Sequence, residues 1–276
     1  MHMIRKATSA DRAALAELER SCFGDDGTFI GSIFDRLAGM ENIWLAEENG
    51  MPVSMALTVP VTFDGRHGAY LYALATAAAA RRQGFMTALL EHLKAAAATE
   101  DWHFFCLIPA DGAARAFYEK RGFVPFAPRR LYEPEFRRNL YAVAEFDDIT
   151  VELLPRLRKK FCGAADVQLT PDGLIAMLTD YYSMGGSTVR TGDGYGFFRV
   201  EKGRLLFDEF FARDERGADL LLQASREKIG CTVATVLTDD VSLLHHGRGK
   251  EVPYAMWWSP DGGEAPCGYM GMMLEI

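Results

Sequence analysis

The chain has 276 residues, enough for one large domain or two of ordinary size. Its 49% apolar and 25% charged content is that of a soluble globular protein, which excludes disordered and fibrous classes. A formal charge of −8 argues against a nucleic-acid binder, and no apolar run reaches the ~18 residues of a membrane span.

Residues 4–7 open as a short strand. Thr8 or Ser9 caps a helix over 10–22, with Leu15, Leu18 and Cys22 on one face. Gly24-Asp25-Asp26-Gly27 breaks the pattern, and 29–37 reads as a second helix. Strands at 43–47 and 53–63 are joined across Asn49-Gly50, a strong hairpin signal, and Pro60 suits an edge or bulge. A glycine-rich turn holding a solvated His67 leads into an apolar strand over 69–76. Beyond it, Met86, Leu89, Leu90, Leu93 and Ala97 recur on one face of a helix over 85–98. A buried strand follows at 103–108, then a short helix over 112–121 ended by Gly122. Residues 129–140 read as a charged connection, and 141–145 as a strand closing the first sheet.

The turn before the long helix is the informative stretch. Arg81-Arg82-Gln83-Gly84 stands where the helix dipole is positive and backbone N–H groups lack partners. Cations are disfavoured there, so a bound anion would account for both arginines. Gly84 lets a ligand approach the backbone, and the turn suits a phosphate or pyrophosphate. The alternative is a solvated turn with two exposed arginines.

About thirty residues later comes Phe117-Tyr118-Glu119-Lys120-Arg121-Gly122-Phe123. The pair, Arg81-x-x-Gly84 opening a helix and this second motif, resembles the GCN5-related N-acetyltransferases (GNAT), over residues 3 to about 145. The resemblance implies a mixed α+β fold, with a mostly antiparallel central sheet flanked by helices. It implies acetyl-CoA as co-substrate and direct transfer of the acetyl group to a primary amine in a ternary complex. The backbone of Leu74, Ala75 and Thr76 would bind the pantetheine arm. Arg81, Arg82, Gln83, Gly84, Phe85, Met86 and Thr87 would hold the pyrophosphate, and Tyr118 would protonate the departing thiolate. Two positions depart from the family pattern. Met86 stands where Gly or Ala is usual, and Asp111 stands near a common Asn, where it is expected to turn away as a helix cap.

The second half repeats the order of the first. A helix at 174–182, a hairpin of 195–200 and 204–212, a helix over 216–229 and strands at 231–237, 253–258 and 267–274 are predicted. This resembles a second, degenerate GNAT-like domain, giving a catalytic domain over 1–146 and a degenerate one over 147–276. Ala212-Arg213-Asp214-Glu215-Arg216-Gly217 lacks the Arg-x-x-Gly order, and its acids would repel phosphate. Leu244-His245-His246-Gly247 falls where the tyrosine motif falls in the first half. Adjacent histidines point to different sides and no Cys, Asp or Glu stands at ligand spacing, so no metal is expected. Tandem acetyltransferases with a degenerate second domain include the enhanced-intracellular-survival aminoglycoside acetyltransferases. Those carry a further lipid-carrier-like domain for which this chain has no room, so their substrate does not transfer.

Cys22, Cys106, Cys162, Cys231 and Cys267 are widely spaced with no Cys-x-x-Cys, which predicts neither a disulfide framework nor a zinc site. With no signal-like opening, a cytoplasmic protein is expected, a monomer or homodimer. Its acceptor is expected to be a small-molecule or peptide amine, with no nucleic-acid or membrane partner. The general base stays open among Tyr70, Tyr72, Asp25, Asp26, Glu47 and the Ile276 carboxylate. A non-catalytic acyl-CoA-binding or sensor protein is the rival reading.

Overall fold

Alternating apolar residues build a meander in the first part of the chain. It runs through β1 (Met3–Lys6), β2 (Ile43–Glu48), β3 (Met51–Phe63) and β4 (Arg66–Thr76), each antiparallel to the last. The next strand, β5 (Phe105–Leu107), lies parallel to β4, as a crossover through a helix requires. Between these strands lie α1 (Arg12–Phe23), α2 (Gly27–Ser32) and α3 (Phe85–Ala96). α4 (Gly112–Glu119) and β6 (Val124–Phe126) follow β5. α2 runs on into one π turn at Ile33–Leu37.

The structure, a computed structural model, describes residues 3–136, 141–239, 248–272 and 274. The chain divides into two units. One holds residues 1–124, 169–176 and 257–264; the other holds 125–168, 177–256 and 265–276.

In the second unit, β7 (Arg129–Tyr132) and β8 (Glu145–Phe146) precede α5 (Leu153–Phe161). Next in the chain come β9 (Gln168–Leu169) and α6 (Pro171–Ser183), whose residues 169–176 belong to the first unit, and then β10 (Ser187–Thr191) of the second. The hairpin β11 (Gly194–Glu201) and β12 (Arg204–Ala212) then leads to α7 (Glu215–Ile229) and β13 (Ala234–Asp239). β14 (Lys250–Val252) and β15 (Ala255–Trp258) are the last strands described. The second sheet has the order β14-β7-β13-β12-β11-β10-β8. Its core joins Phe198, Phe207, Phe210, Leu221, Ala234 and Val236.

The first sheet has the order β1-β2-β3-β4-β5-β15-β6, with β9 along β3. Trp257 stacks on Phe104 at 4.2 Å and 9°, and Trp258 on Phe105 at 5.1 Å and 19°. Gly68 makes room for this layer, because a Cβ there would meet the Phe104 ring at 2.5 Å.

Four local readings differ from the structure. Arg129–Tyr132, expected within a connection, is a strand pairing with β13 and β14. The strand expected at 141–145 is Glu145–Phe146, and it pairs with β10 in the second sheet rather than closing the first. Phe146 packs on the second unit's core, which outweighs chain proximity. Residues 267–274 form no strand among those described; Tyr269 makes only an isolated bridge to Asp166. α5 and β10 were not anticipated. The His245-His246 reading and the Ile276 carboxylate lie outside the described residues.

Candidate active site

The site is built where β4 leaves its neighbours. Against β3, Leu57 pairs with Tyr72 and Met55 with Ala75, so Ala73 and Leu74 stand together opposite one residue. Ala73 has φ +48, a left-handed conformation unusual for alanine, and this bulge re-aims the strand. On the other edge, β4 pairs with β5 only at Ala69–Phe105 and Tyr70–Cys106. β4 continues six residues beyond Tyr70 to Thr76, so its far end parts from β5 and presents a backbone edge to a ligand.

The inner polar groups of that strand end are already engaged. Ser54 Oγ donates to Ala75 O at 2.9 Å, and Ala77 N to Val53 O at 2.9 Å. The Arg81 Nε–H donates to Thr76 O at 3.1 Å, so this arginine folds back and fastens the turn to β4. Gln83 Nε2 fastens the turn a second time, at Ala79 O, 2.9 Å. Arg82 (φ +63) and Gly84 (φ +88) both take left-handed backbone conformations. Gly84 is the N-cap of α3 and brings no side chain to the N–H groups of the first turn, which leaves that turn to an incoming anion.

Tyr118 sits in α4, largely buried, with Phe117 and Phe123 edge-on at 5.3 and 5.7 Å. Asp111 caps this helix, its Oδ1 accepting from Ala114 N at 2.7 Å; the acid turns onto its own helix as expected. Arg121, just past α4, donates to Thr87 Oγ1 at 2.5 Å and to Phe117 O at 2.7 Å. Lys94 of α3 adds a bond to Arg121 O. These contacts tie the start of the glycine-capped helix to the tyrosine-bearing one.

The candidate bases separate. Glu47 and Asp11 are both engaged by Arg5, which is bidentate to Asp11 at 2.8 Å. The Arg5 guanidinium holds the Asp11 carboxyl well below the usual range. Asp26 caps α2, accepting from Thr28 N at 2.7 Å and Phe29 N at 2.9 Å. Tyr70 is fully buried, with Tyr72 tilted against it at 5.6 Å. Asp25 does something else: its charge acts on Glu19, a buried helix carboxyl that sequence reasoning passed over. A signal was present. Glu19 is four residues from Leu15 and three from Cys22, on the apolar face.

The second unit keeps the scaffold and fills the corresponding features. β12 and β13 pair only from Leu205–Ala234 to Phe207–Val236, so they too part. There Thr238 Oγ1 donates to Phe210 O at 2.6 Å and bridges the two strands. The Asp214 carboxylate caps α7, accepting from Gly217 N at 2.8 Å, which puts the chain's own anion at that helix start. Deeper in this unit, Arg158 is bidentate to Glu209 at 2.7 and 3.1 Å; Tyr195 and Tyr269 donate to the same carboxylate at 2.6 and 2.9 Å. Burial pushes the Glu209 carboxyl up, but Arg158 and the hydrogen bonds outweigh it and the net shift is down.

Among the described residues, no group of three His, Cys, Asp or Glu side chains stands together as a metal site, and no helix is long and apolar enough to cross a membrane.

Residues 12–123 match the acetyltransferase (GNAT) family in sequence. No curated protein matches the chain. In fold, it is similar to a probable N-acyltransferase from Enterococcus faecalis V583, with TM-score 0.75 and 14% identity over 95% of this chain and 73% of that one. Eis1 from Mycobacterium abscessus is similar at TM-score 0.72 and 13% identity, over 94% of this chain and 74% of the other. A tandem GNAT protein from the clavulanic acid biosynthesis pathway is similar over 96% of this chain and 99% of its own, at TM-score 0.55 and 12% identity. Residues 12–123 thus carry the sequence pattern of the GNAT acetyltransferase family, in a fold shared with tandem GNAT proteins along nearly the whole chain.

Proposed function

We propose that this protein transfers an acetyl group from acetyl-CoA to a primary amine by direct attack in a ternary complex, using one site in the first unit. The observation that carries this reading is the bulged, parted end of β4 beside a helix whose cap is a glycine. Leu74, Ala75 and Thr76 would offer backbone groups to the pantetheine arm, which is itself a chain of amides. The turn from Arg81 through Gln83 and Gly84 to Phe85, Met86 and Thr87 would hold the pyrophosphate, through first-turn N–H groups and the positive end of the helix dipole. A thioester supplies an activated acyl carbon; the chain supplies orientation and proton transfer. Backbone N–H groups at the bulge would stabilise the developing oxyanion. Tyr118, a phenol, can give its proton to the thiolate.

On this reading, residues 1–146 act and 147–276 support them. Thr238 across the second strand gap and Asp214 at the second helix start favour one cofactor per chain. Calorimetric titration with CoA tests the stoichiometry, and thiol release from acetyl-CoA across polyamines, aminoglycosides, amino acids and peptides tests the reaction. One site with amine-dependent thiol release is expected. Two equivalent sites would remove the division of labour. Binding with no release on any amine would favour the acyl-CoA sensor.

A further inference from the structure

α1 buries an acid among its leucines. Glu19 is 1% exposed, on the face that carries Leu15 and Leu18. Asp25 follows just past Gly24, which ends the helix at φ +85. The Asp25 carboxyl is near enough for its charge to act on Glu19. Glu19 Oε2 is buried and has no hydrogen-bond partner. A buried oxygen without a partner costs about 1–3 kcal/mol, and its retention calls for a donor that visits. Six other acids of this unit are spent on the fold: Asp11 and Glu47 on Arg5, Asp35 on Arg12, Glu100 on Lys6, Asp26 and Asp111 on helix caps.

The pair also has a place. Cys22, one turn beyond Glu19, lies with its Sγ 3.6 Å from Thr76 O and 4.0 Å from Arg81 Nη2. The face of α1 that carries Glu19 therefore meets β4 at its parted end, two residues beyond the bulge at Ala73 and Leu74.

We propose that Glu19 and Asp25 are the proton-accepting pair of the acyl transfer, taking the proton from the acceptor nitrogen as it attacks the thioester carbonyl. This rests on the reading of the first unit as an acyltransferase. The neutral amine forms the N–C bond, the C–S bond breaks with its electron pair going to sulfur, and Tyr118 protonates that sulfur. The proton lost by nitrogen passes to the carboxyl pair. Half-buried Asp25 returns it to solvent, from which Tyr118 is reprotonated.

Two carboxyls suit this task better than one. A lone aspartate near 4 is a weak base, whereas two adjacent carboxylates resist double ionisation, which raises the proton affinity of one of them. Burial, with the charge of Asp25, pushes Glu19 up to about 8; burial pushes Asp25 up as well, against a lowering by Glu19 and with Asp26 adding to it. A base that titrates near the working pH is the efficient one.

The test uses Glu19→Gln and Asp25→Asn in the full chain. Each is nearly isosteric and keeps a hydrogen-bonding group. Thiol release is followed with two acceptors: whichever of spermidine, lysine, kanamycin and propylamine the wild type uses fastest, and methoxyamine. Methoxyamine is so weakly basic that water can take its proton once the N–C bond forms. The expected result is a fall in kcat of roughly 10²-fold with the alkylamine. KM for acetyl-CoA and the methoxyamine rate should stay within about threefold of wild type, well short of a general-base loss. Equal losses with both amines would make the pair structural, and unchanged rates in both variants would also overturn the proposal. If the wild type releases no thiol with any amine, the acyltransferase reading itself fails and takes this one with it.

Discussion

The guanidinium of Arg121 donates to the Thr87 hydroxyl at 2.5 Å, across thirty-four residues of sequence. Thr87 is in the first turn of α3 and Arg121 follows α4, so one bond sets the glycine-capped helix start against the helix that carries Tyr118. Arg121 also stacks on Phe117 at 3.5 Å, and burial lowers its own affinity for a proton. A charge-assisted bond of this kind contributes about 1.5–3 kcal/mol. Arg121→Met should lower stability by that order in urea denaturation. Thr87→Val should cost clearly less in the Arg121→Met background than in the wild type. Additive losses would show that the two side chains do not act together.

Gly84→Glu should abolish acetyl-CoA binding. Two effects add: φ is +88, which costs an L residue ~1–2 kcal/mol, and the new carboxylate stands where the pyrophosphate is read to sit. Gly84→Ala carries the strain without the charge, so it should keep measurable affinity by calorimetry. Equal affinity in wild type and the glutamate variant would sink the phosphate assignment.

Tyr118→Phe keeps the ring between Phe117 and Phe123 and removes only the hydroxyl. Acetyl-CoA affinity should hold while turnover drops by about 10²-fold. A full rate would mean that water protonates the thiolate and the ring serves packing alone.

The Glu19 carboxyl makes stability depend on pH. It titrates at about 8 in the folded chain against an ordinary 4.5, so between those values the folded state binds more protons than the unfolded one. Its contribution is complete below 4.5 and is lost as pH rises through 8, with a slope of at most about 1.4 kcal/mol per unit. Glu19→Gln should remove that slope and gain on the wild type as pH rises from 5 to 8, read as urea midpoints. Parallel profiles would assign the buried proton elsewhere.

Glu209→Gln should damage the second unit severely. It takes from buried Arg158 the carboxylate it holds at 2.7 and 3.1 Å and leaves only Asp166, at 4.0 Å, as counter-charge. The loss expected for breaking a buried pair is about 3–5 kcal/mol. A change below about 1 kcal/mol in chemical denaturation would show the network to be replaceable by neutral hydrogen bonds.

Sequence alone determined what depends on neighbours within one turn or one strand. The strand–turn–helix from residue 69 onward, the glycine that starts α3, the Asp111 cap and the tyrosine on α4 are local patterns, and each stands in the structure where its pattern placed it. Tertiary structure decided the rest. The left-handed Ala73 has no mark in the sequence, because alanine reaches that conformation only when paired strands impose it. Arg129–Tyr132 and Glu145–Phe146 joined the second sheet and Trp257 and Trp258 stacked in the first, because strand partners are chosen by burial against residues distant in the chain. Glu19 lay on a legible apolar face, but its pairing with Asp25 came from a helix end folding one carboxyl onto another, away from water.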